Sequence, residues 1–140
     1  MADYEKAGIL VLRERRILLC RKKRDPELLI LPGGKFEAGE TAVECLRREL
    51  REELGEVAVA RLEPIGTYTD RAASDARKTV QIELFHGELA GTPVASSEIG
   101  ELVWFGEYDD WSQLAPSLAN KILPDLIARG ILDWSRDDAH

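Results

Sequence analysis

The stretch Gly33-Gly34-Lys35-Phe36-Glu37-Ala38-Gly39-Glu40-Thr41-Ala42-Val43-Glu44-Cys45-Leu46-Arg47-Arg48-Glu49-Leu50-Arg51-Glu52-Glu53-Leu54-Gly55 decides the fold. Pro32-Gly33-Gly34 stops the apolar run before it, and a loop continues to Glu40. A helix is predicted from Thr41, whose hydroxyl caps the first turn while Glu44, three residues on, completes a capping box; Gly55 supplies the stop. Val43, Leu46, Leu50 and Leu54 recur at spacings of three and four, so one stripe faces a core while arginines and glutamates flank it.

Working outward, Ala7–Leu12 and Ile17–Cys20 read as two strands of a hairpin around Arg13-Glu14-Arg15-Arg16. Leu28–Leu31 reads as a third strand after the turn signal Asp25-Pro26. Val57–Tyr68 and Thr79–Leu89 read as longer strands, joined by the polar segment Asp70–Lys78, a candidate substrate loop. Leu102–Phe105 forms a short strand, and Ser117–Arg129 a second helix that Pro124 crosses and Gly130 ends; the residues beyond are expected to fray. Strands, helix, strands, helix predict an α/β (α+β) chain, a central mixed sheet with a helix on each face as an α/β/α sandwich.

The 140 residues suit a single domain spanning 1–140. With 44% hydrophobic and 32% charged residues the composition is that of a folded chain, and no segment approaches the roughly 18 apolar residues of a membrane span. No secretory signal pattern opens it, so a cytoplasmic location and no membrane partner are expected. Cys20 and Cys45 alone make neither a disulfide framework nor a thiolate zinc site and read as buried free thiols. A net charge of -7 argues against a nucleic-acid polymer as partner, since wrapping one needs a basic stripe.

Placed about 100° apart per residue, Glu49, Glu52 and Glu53 fall on one flank within a turn. Like charges so close destabilise a helix unless a cation sits among them, and an all-carboxylate cluster suits Mg²⁺, or Mn²⁺, better than zinc. The helix by itself equally fits a solvated face paired with Arg47, Arg48 and Arg51. The larger pattern favours a site: Gly34, five residues, Glu40, seven residues, then Arg48-Glu49-Leu50-Arg51-Glu52-Glu53-Leu54-Gly55. Residues 34–55 resemble the Nudix box, with one departure: Glu56 stands where the family usually carries an aliphatic residue.

The resemblance implies the Nudix fold and hydrolysis of a nucleoside diphosphate linked to another moiety. A nucleoside triphosphate, including an oxidised one, cleaved to monophosphate and pyrophosphate is the favoured substrate. ADP-ribose, dinucleoside polyphosphates and nucleotide sugars stay open, as does a Nudix-fold sensor that binds without hydrolysing. By the same resemblance Glu49, Glu52 and Glu53 would hold the metals together with the carbonyl of Gly33, and Glu40 and Arg48 would pair to hold the loop on the helix. MutT-like members place a metal-binding or base-like glutamate where Glu98 stands ahead of Trp104, with Glu101 a competitor; either Glu52 or Glu98 would then be the general base. They also read the base with an asparagine near the position of Asn120. Family members of this size are often homodimers.

Outside the box, the run Arg21-Lys22-Lys23-Arg24 offers charge-assisted phosphate donors, with Arg21 and Lys35 the leading substrate-binding cations. Trp104, Phe105, Tyr108 and Trp111 could stack a base or serve the core. His86 lacks a visible nucleophile or metal partner.

Overall fold

A computed structural model describes residues 2–135. Strand β1 (Tyr4–Leu10) is followed by β2 (Leu12–Arg13), β3 (Arg16–Lys22), β4 (Gly33–Lys35), helix α1 (Ala42–Leu54), β5 (Ala58–Arg71), β6 (Thr79–Ala90), β7 (Ile99–Phe105) and, after shorter turns, helix α2 (Leu123–Ala128). One sheet has the order β4-β1-β6-β5 and the other β2-β3-β7. The first is mixed: β1 runs parallel to β6, while β4 and β5 are antiparallel to their neighbours. The second is wholly antiparallel.

Ala7, Ile9 and Leu10 are almost completely buried because both faces of β1 are covered. Ile9, Val11, Leu18 and Phe85 pack with Leu46, Leu50 and Leu54 of α1. Leu10, Ile17, Leu19 and Leu84 pack on the opposite side with Leu118, Ile122 and Leu126. Helices therefore cover both faces, as the sequence predicts.

Several expectations change. The expected Ala7–Leu12 strand divides: β1 ends at Leu10 in one sheet and β2 starts at Leu12 in the other, with buried Val11 between. The hairpin is confined to β2 and β3, around Glu14 and Arg15, both at positive φ (51° and 65°), the twist a tight two-residue hairpin turn requires. Leu28–Leu31 is no ladder strand. Its backbone is shared between two neighbours, Ile30 bonding both ways with Cys20, and Leu29 accepting from Ala115 and donating to Gln113. The strand is instead Gly33–Lys35, where Gly33 pairs with Gly8 and Gly34 with Ala7.

In the second helical region Leu118–Ile122 forms a π turn, and the Leu123 amide bonds the Leu118 carbonyl five residues back. Pro124 has no amide to give and its ring would crowd the carbonyl four residues earlier, so the wider turn removes the conflict. Leu132 and Trp134 are buried, Trp134 tilting against Phe105 and Trp111, so the chain stays packed through Ser135. Fraying expected at 136–140 lies outside the described residues. Cys20 and Cys45 are free and buried. Among the described residues no helix is long and apolar enough to cross a membrane.

Candidate active site

Local sequence sets the orientation of α1. Thr41 Oγ1 accepts from the Glu44 amide at 3.1 Å and Glu44 Oε1 accepts from the Thr41 amide at 2.9 Å, the reciprocal capping box. The preceding loop is fastened by Arg48, whose Nε and Nη2 reach Glu40 Oε2 and Oε1 at 2.6 and 2.9 Å. Arg48 Nη2 also donates to the Lys35 carbonyl at 3.0 Å and Nη1 to Glu49 Oε2 at 2.9 Å. Such bidentate pairs are directional as well as strong.

The Arg48 guanidinium, helped by the Glu37 amide, holds the Glu40 carboxyl down at about 2. A depressed acid stabilises the fold above its unfolded value and loses that contribution as pH falls, here between about 4.5 and 2. Glu40→Gln should therefore release the loop at neutral pH, and hydrogen exchange of the Phe36–Gly39 amides should speed by roughly tenfold. Unchanged exchange would show that Arg48 does not hold the loop.

Glu53 is 5% exposed, and its Oε1 accepts from the Gly33 amide at 2.9 Å. Burial raises its carboxyl to about 8 against that hydrogen bond, and Glu49 adds to the rise. Glu49 is also raised, by burial first and then by Glu52 and Glu98, with Arg48 opposing. Strand β4 comes so close that a Cβ on Gly34 would collide with the Glu49 carboxyl, its Oε2 only 2.7 Å away.

A cleft of about 300 Å³ opens over this floor, lined by Glu49, Glu53 and Glu98 together with Lys6, Lys22 and Lys35. The donors fit a hard divalent cation in kind. They are carboxylate oxygens crowded until they raise one another's proton affinity, the charge excess that a cation removes. Among the described residues no three acidic, histidine or cysteine groups are gathered closely enough to chelate. Glu49 is turned to Arg48 and Glu53 to Gly33.

The remaining sequence candidates divide by position. Glu52 is half-exposed beside Arg48, 3.6 Å from Nη1. Glu98 lies in the loop before β7 and lines the cleft. Glu101 does not line it; it pairs with Arg21 Nε at 3.0 Å. Arg21 is occupied further by Gln113 and by the carbonyls of Pro26 and Glu27, so on β3 the cation facing the cleft is its neighbour Lys22. Lys35 lines the cleft with its ammonium 4.2 Å from the Tyr4 ring centroid.

Asn120 donates to Asp70 Oδ2 at 3.2 Å and is not among the cleft's walls. Of the aromatic candidates, Phe105 and Trp111 are core, Trp104 packs under the Arg13 guanidinium and Tyr108 is exposed. None lines the cleft.

Lys6 escaped sequence reasoning. It lies on β1 directly opposite Lys35, and burial, with Lys22 and Lys35 adding, lowers its ammonium to about 8 while Glu53 opposes. Like charges facing across a strand pair repel unless an anion lies between them. The available signal was weak: Tyr4, Lys6 and Gly8 share a face by alternation.

The NUDIX domain family model matches residues 5–125. A Bacillus subtilis (strain 168) protein provisionally named 8-oxo-dGTP diphosphatase is 35% identical over 85 residues, 61% of this chain and 53% of the relative, so the match spans about half the relative's length. The solution structure of the E. coli ORF135 protein matches with a TM-score of 0.69 at 26% identity over 91% of each chain. A MutT NUDIX hydrolase from Burkholderia pseudomallei matches with a TM-score of 0.66 at 25% identity, covering 95% of this chain and 98% of that one.

Proposed function

Because the chain belongs to the NUDIX domain family, we propose that it is a Mg²⁺-dependent pyrophosphohydrolase, acting on a nucleoside diphosphate linked to another group. The observation that carries this reading is the buried Glu53 carboxylate, bonded to the Gly33 amide, in a cleft it shares with Glu49, Glu98, Lys6, Lys22 and Lys35. Carboxylates and ammonium groups lining one cleft suit a cation-bound diphosphate, whose negative oxygens need both partners.

Glu49, Glu52, Glu53 and Glu98, with the Gly33 carbonyl, would hold the metal. Bound there, Mg²⁺ (or Mn²⁺) would neutralise the diphosphate and lower the proton affinity of an attacking water. Arg48 positions Glu49 and the β4–α1 loop. Lys6, Lys22 and Lys35 orient phosphate oxygens. For the general base the choice lies between Glu52 and Glu98; the place of Glu98 on the cleft wall, against the half-exposed Glu52 side chain, favours Glu98.

A nucleoside triphosphate, including an oxidised one, is the favoured substrate, supported by the provisional name of the Bacillus relative. Buried free thiols at Cys20 and Cys45 suit a reducing cytoplasmic compartment.

The test is a panel of nucleoside triphosphates, oxidised triphosphates, ADP-ribose and dinucleoside polyphosphates, followed by release of pyrophosphate or phosphate with Mg²⁺, with Mn²⁺ and with chelator. Cation-dependent release from at least one triphosphate is expected, together with a rise in melting temperature on adding Mg²⁺ and nucleotide. Binding of the panel without any hydrolysis would overturn the enzymatic reading in favour of a sensor.

A further inference from the structure

The first sheet has two margins, β4 and β5, and side chains close the β4 margin. The Gly33 amide is taken by Glu53, the Gly34 carbonyl by Cys45 and the Lys35 carbonyl by Arg48. The first part of β5 is closed in a similar manner. The Val59 carbonyl accepts from Arg47 and the Ile65 carbonyl from Arg129, Pro64 has no amide to offer, and the register with β6 shifts twice, between Ala60 and Glu63 and between Pro64 and Gly66. Charged side chains, proline and bulges are the means by which an edge strand is kept from pairing with another chain.

The rest of β5 has neither proline nor bulge. Its register with β6 runs unbroken from Gly66 opposite Leu84 to Arg71 opposite Thr79, and continues into the bond from the Ala72 amide to the Lys78 carbonyl. That bond fixes the phase of the ladder. Gly66, Tyr68 and Asp70 turn their main-chain groups to β6, whereas Thr67, Thr69 and Arg71 turn theirs outward. The Arg71 amide is held by Asp70 Oδ1 at 2.7 Å, and among the described residues no side chain reaches the outward groups of Thr67 or Thr69.

Charge selects the partner for this open margin. Thr67, Thr69 and Arg71 are exposed on one face, with Glu83, Gln81 and Thr79 of β6 beside them in register. Among the described residues neither the Arg71 nor the Glu83 side chain has an ion pair or hydrogen bond. A second copy of the segment, antiparallel about a two-fold axis at Thr69, sets Thr69 against Thr69, a favourable β-branched pair, and Arg71 against Thr67. Glu83 of the second copy stands next to that Thr67. Its α-carbon is then about 10 Å from that of Arg71, one hydrogen-bonded and one non-hydrogen-bonded spacing, within the combined reach of the two side chains. The two-fold axis repeats the pair, and no like charges oppose each other.

We propose that two copies of the chain pair antiparallel through Thr67–Arg71 of β5, joining their four-stranded sheets into one, with Arg71 of each copy bound to Glu83 of the other. Two-fold pairing consumes the open margin of both copies, so assembly stops at the dimer. The ladder is short and the association correspondingly weak, with a dissociation constant on the order of 10–100 µM. None of these residues lines the acidic cleft, so the pairing stands apart from the hydrolytic reading.

Sedimentation equilibrium of the full chain, from about 5 µM to about 1 mM, tests this, and wild type should pass from monomer to dimer across the range. Arg71→Glu and Glu83→Arg, each alone, should weaken association by about tenfold or more, because two repulsive pairs replace two attractive ones. Mixed in equal amounts, the two single variants should associate again, since each supplies the charge that the other lacks; a disturbed fold would not be rescued in this way. Thr69→Pro removes an outward amide and leaves the β6 ladder whole, so it should remain monomeric with an unchanged circular dichroism spectrum. A wild type that is monomeric throughout overturns the proposal. So does a dimer that neither the charge variants nor Thr69→Pro weaken, or a mixture of the two charge variants that fails to associate.

Discussion

Glu53→Gln is expected to abolish turnover, by on the order of 10³-fold or more, while stabilising the metal-free protein at neutral pH. Both effects come from the same burial. The Glu53 carboxyl is raised to about 8 because its charged form is desolvated and stands beside Glu49. A group whose folded value lies above its unfolded one contributes stability below the unfolded value, near 4.5, and loses it as pH rises through about 8. Metal-free wild type should therefore weaken across that window. The glutamine variant keeps an oxygen for the Gly33 amide without the charge, and should weaken less across it, with Glu49 the raised carboxyl that remains.

The gap at pH 8 should be on the order of a few kcal/mol, read from denaturant midpoints in chelator. Adding Mg²⁺ should close it from the wild-type side, since the cation replaces the missing counter-charge. A variant that retains full activity would remove Glu53 from the metal site. One that is less stable than wild type at pH 8 in chelator would show that the buried charge is compensated.

Gly33→Ala, in β4, should destabilise the fold by about 3–5 kcal/mol. Gly33 sits at φ +140°, and a Cβ there would stand 2.8 Å from Gly8 Cα and closer still to the Ala7 carbonyl oxygen. These neighbours are backbone in the middle of β1 and cannot swing aside. Relief requires β4 to separate from β1, which also withdraws the amide that Glu53 accepts. Denaturant unfolding measures the loss, and a value within about 1 kcal/mol of wild type would show that the β1–β4 contact gives way freely.

Helix α1 was legible in full because everything that defines it is local. The capping box spans three residues, the apolar stripe repeats at three and four, and Gly55 at φ 75° closes the end. The Glu40–Arg48 pair followed from the resemblance, at an offset of eight residues. What escaped depends on contacts distant in sequence. Gly33–Lys35 forms a strand, despite glycine's poor strand propensity, because β1 lies too close for a side chain, and nothing near residue 33 announces that.

The division of the first apolar run at Val11 is equally invisible, since both halves are hydrophobic and only their partners differ, β6 for one and β3 for the other. Arg21 and Lys22 illustrate the same limit at one residue's resolution. Alternation says they face opposite ways, but the face that meets the glutamates is set by how β3 pairs with β7, including a register shift between these two residues. Lys6 reaches the cleft because β1 lies beside β4, a neighbour almost thirty positions away in sequence.

The tie between β3 and the loop before β7 runs through main-chain atoms alone, the Lys23 amide on the Glu98 carbonyl. Side chains at 23 and 24 can therefore be exchanged without moving Glu98 or the helix that carries Glu49 and Glu53. The rim of the cleft and its acidic floor are thus held independently, so replacements at 23 and 24 leave the shape of the floor in place.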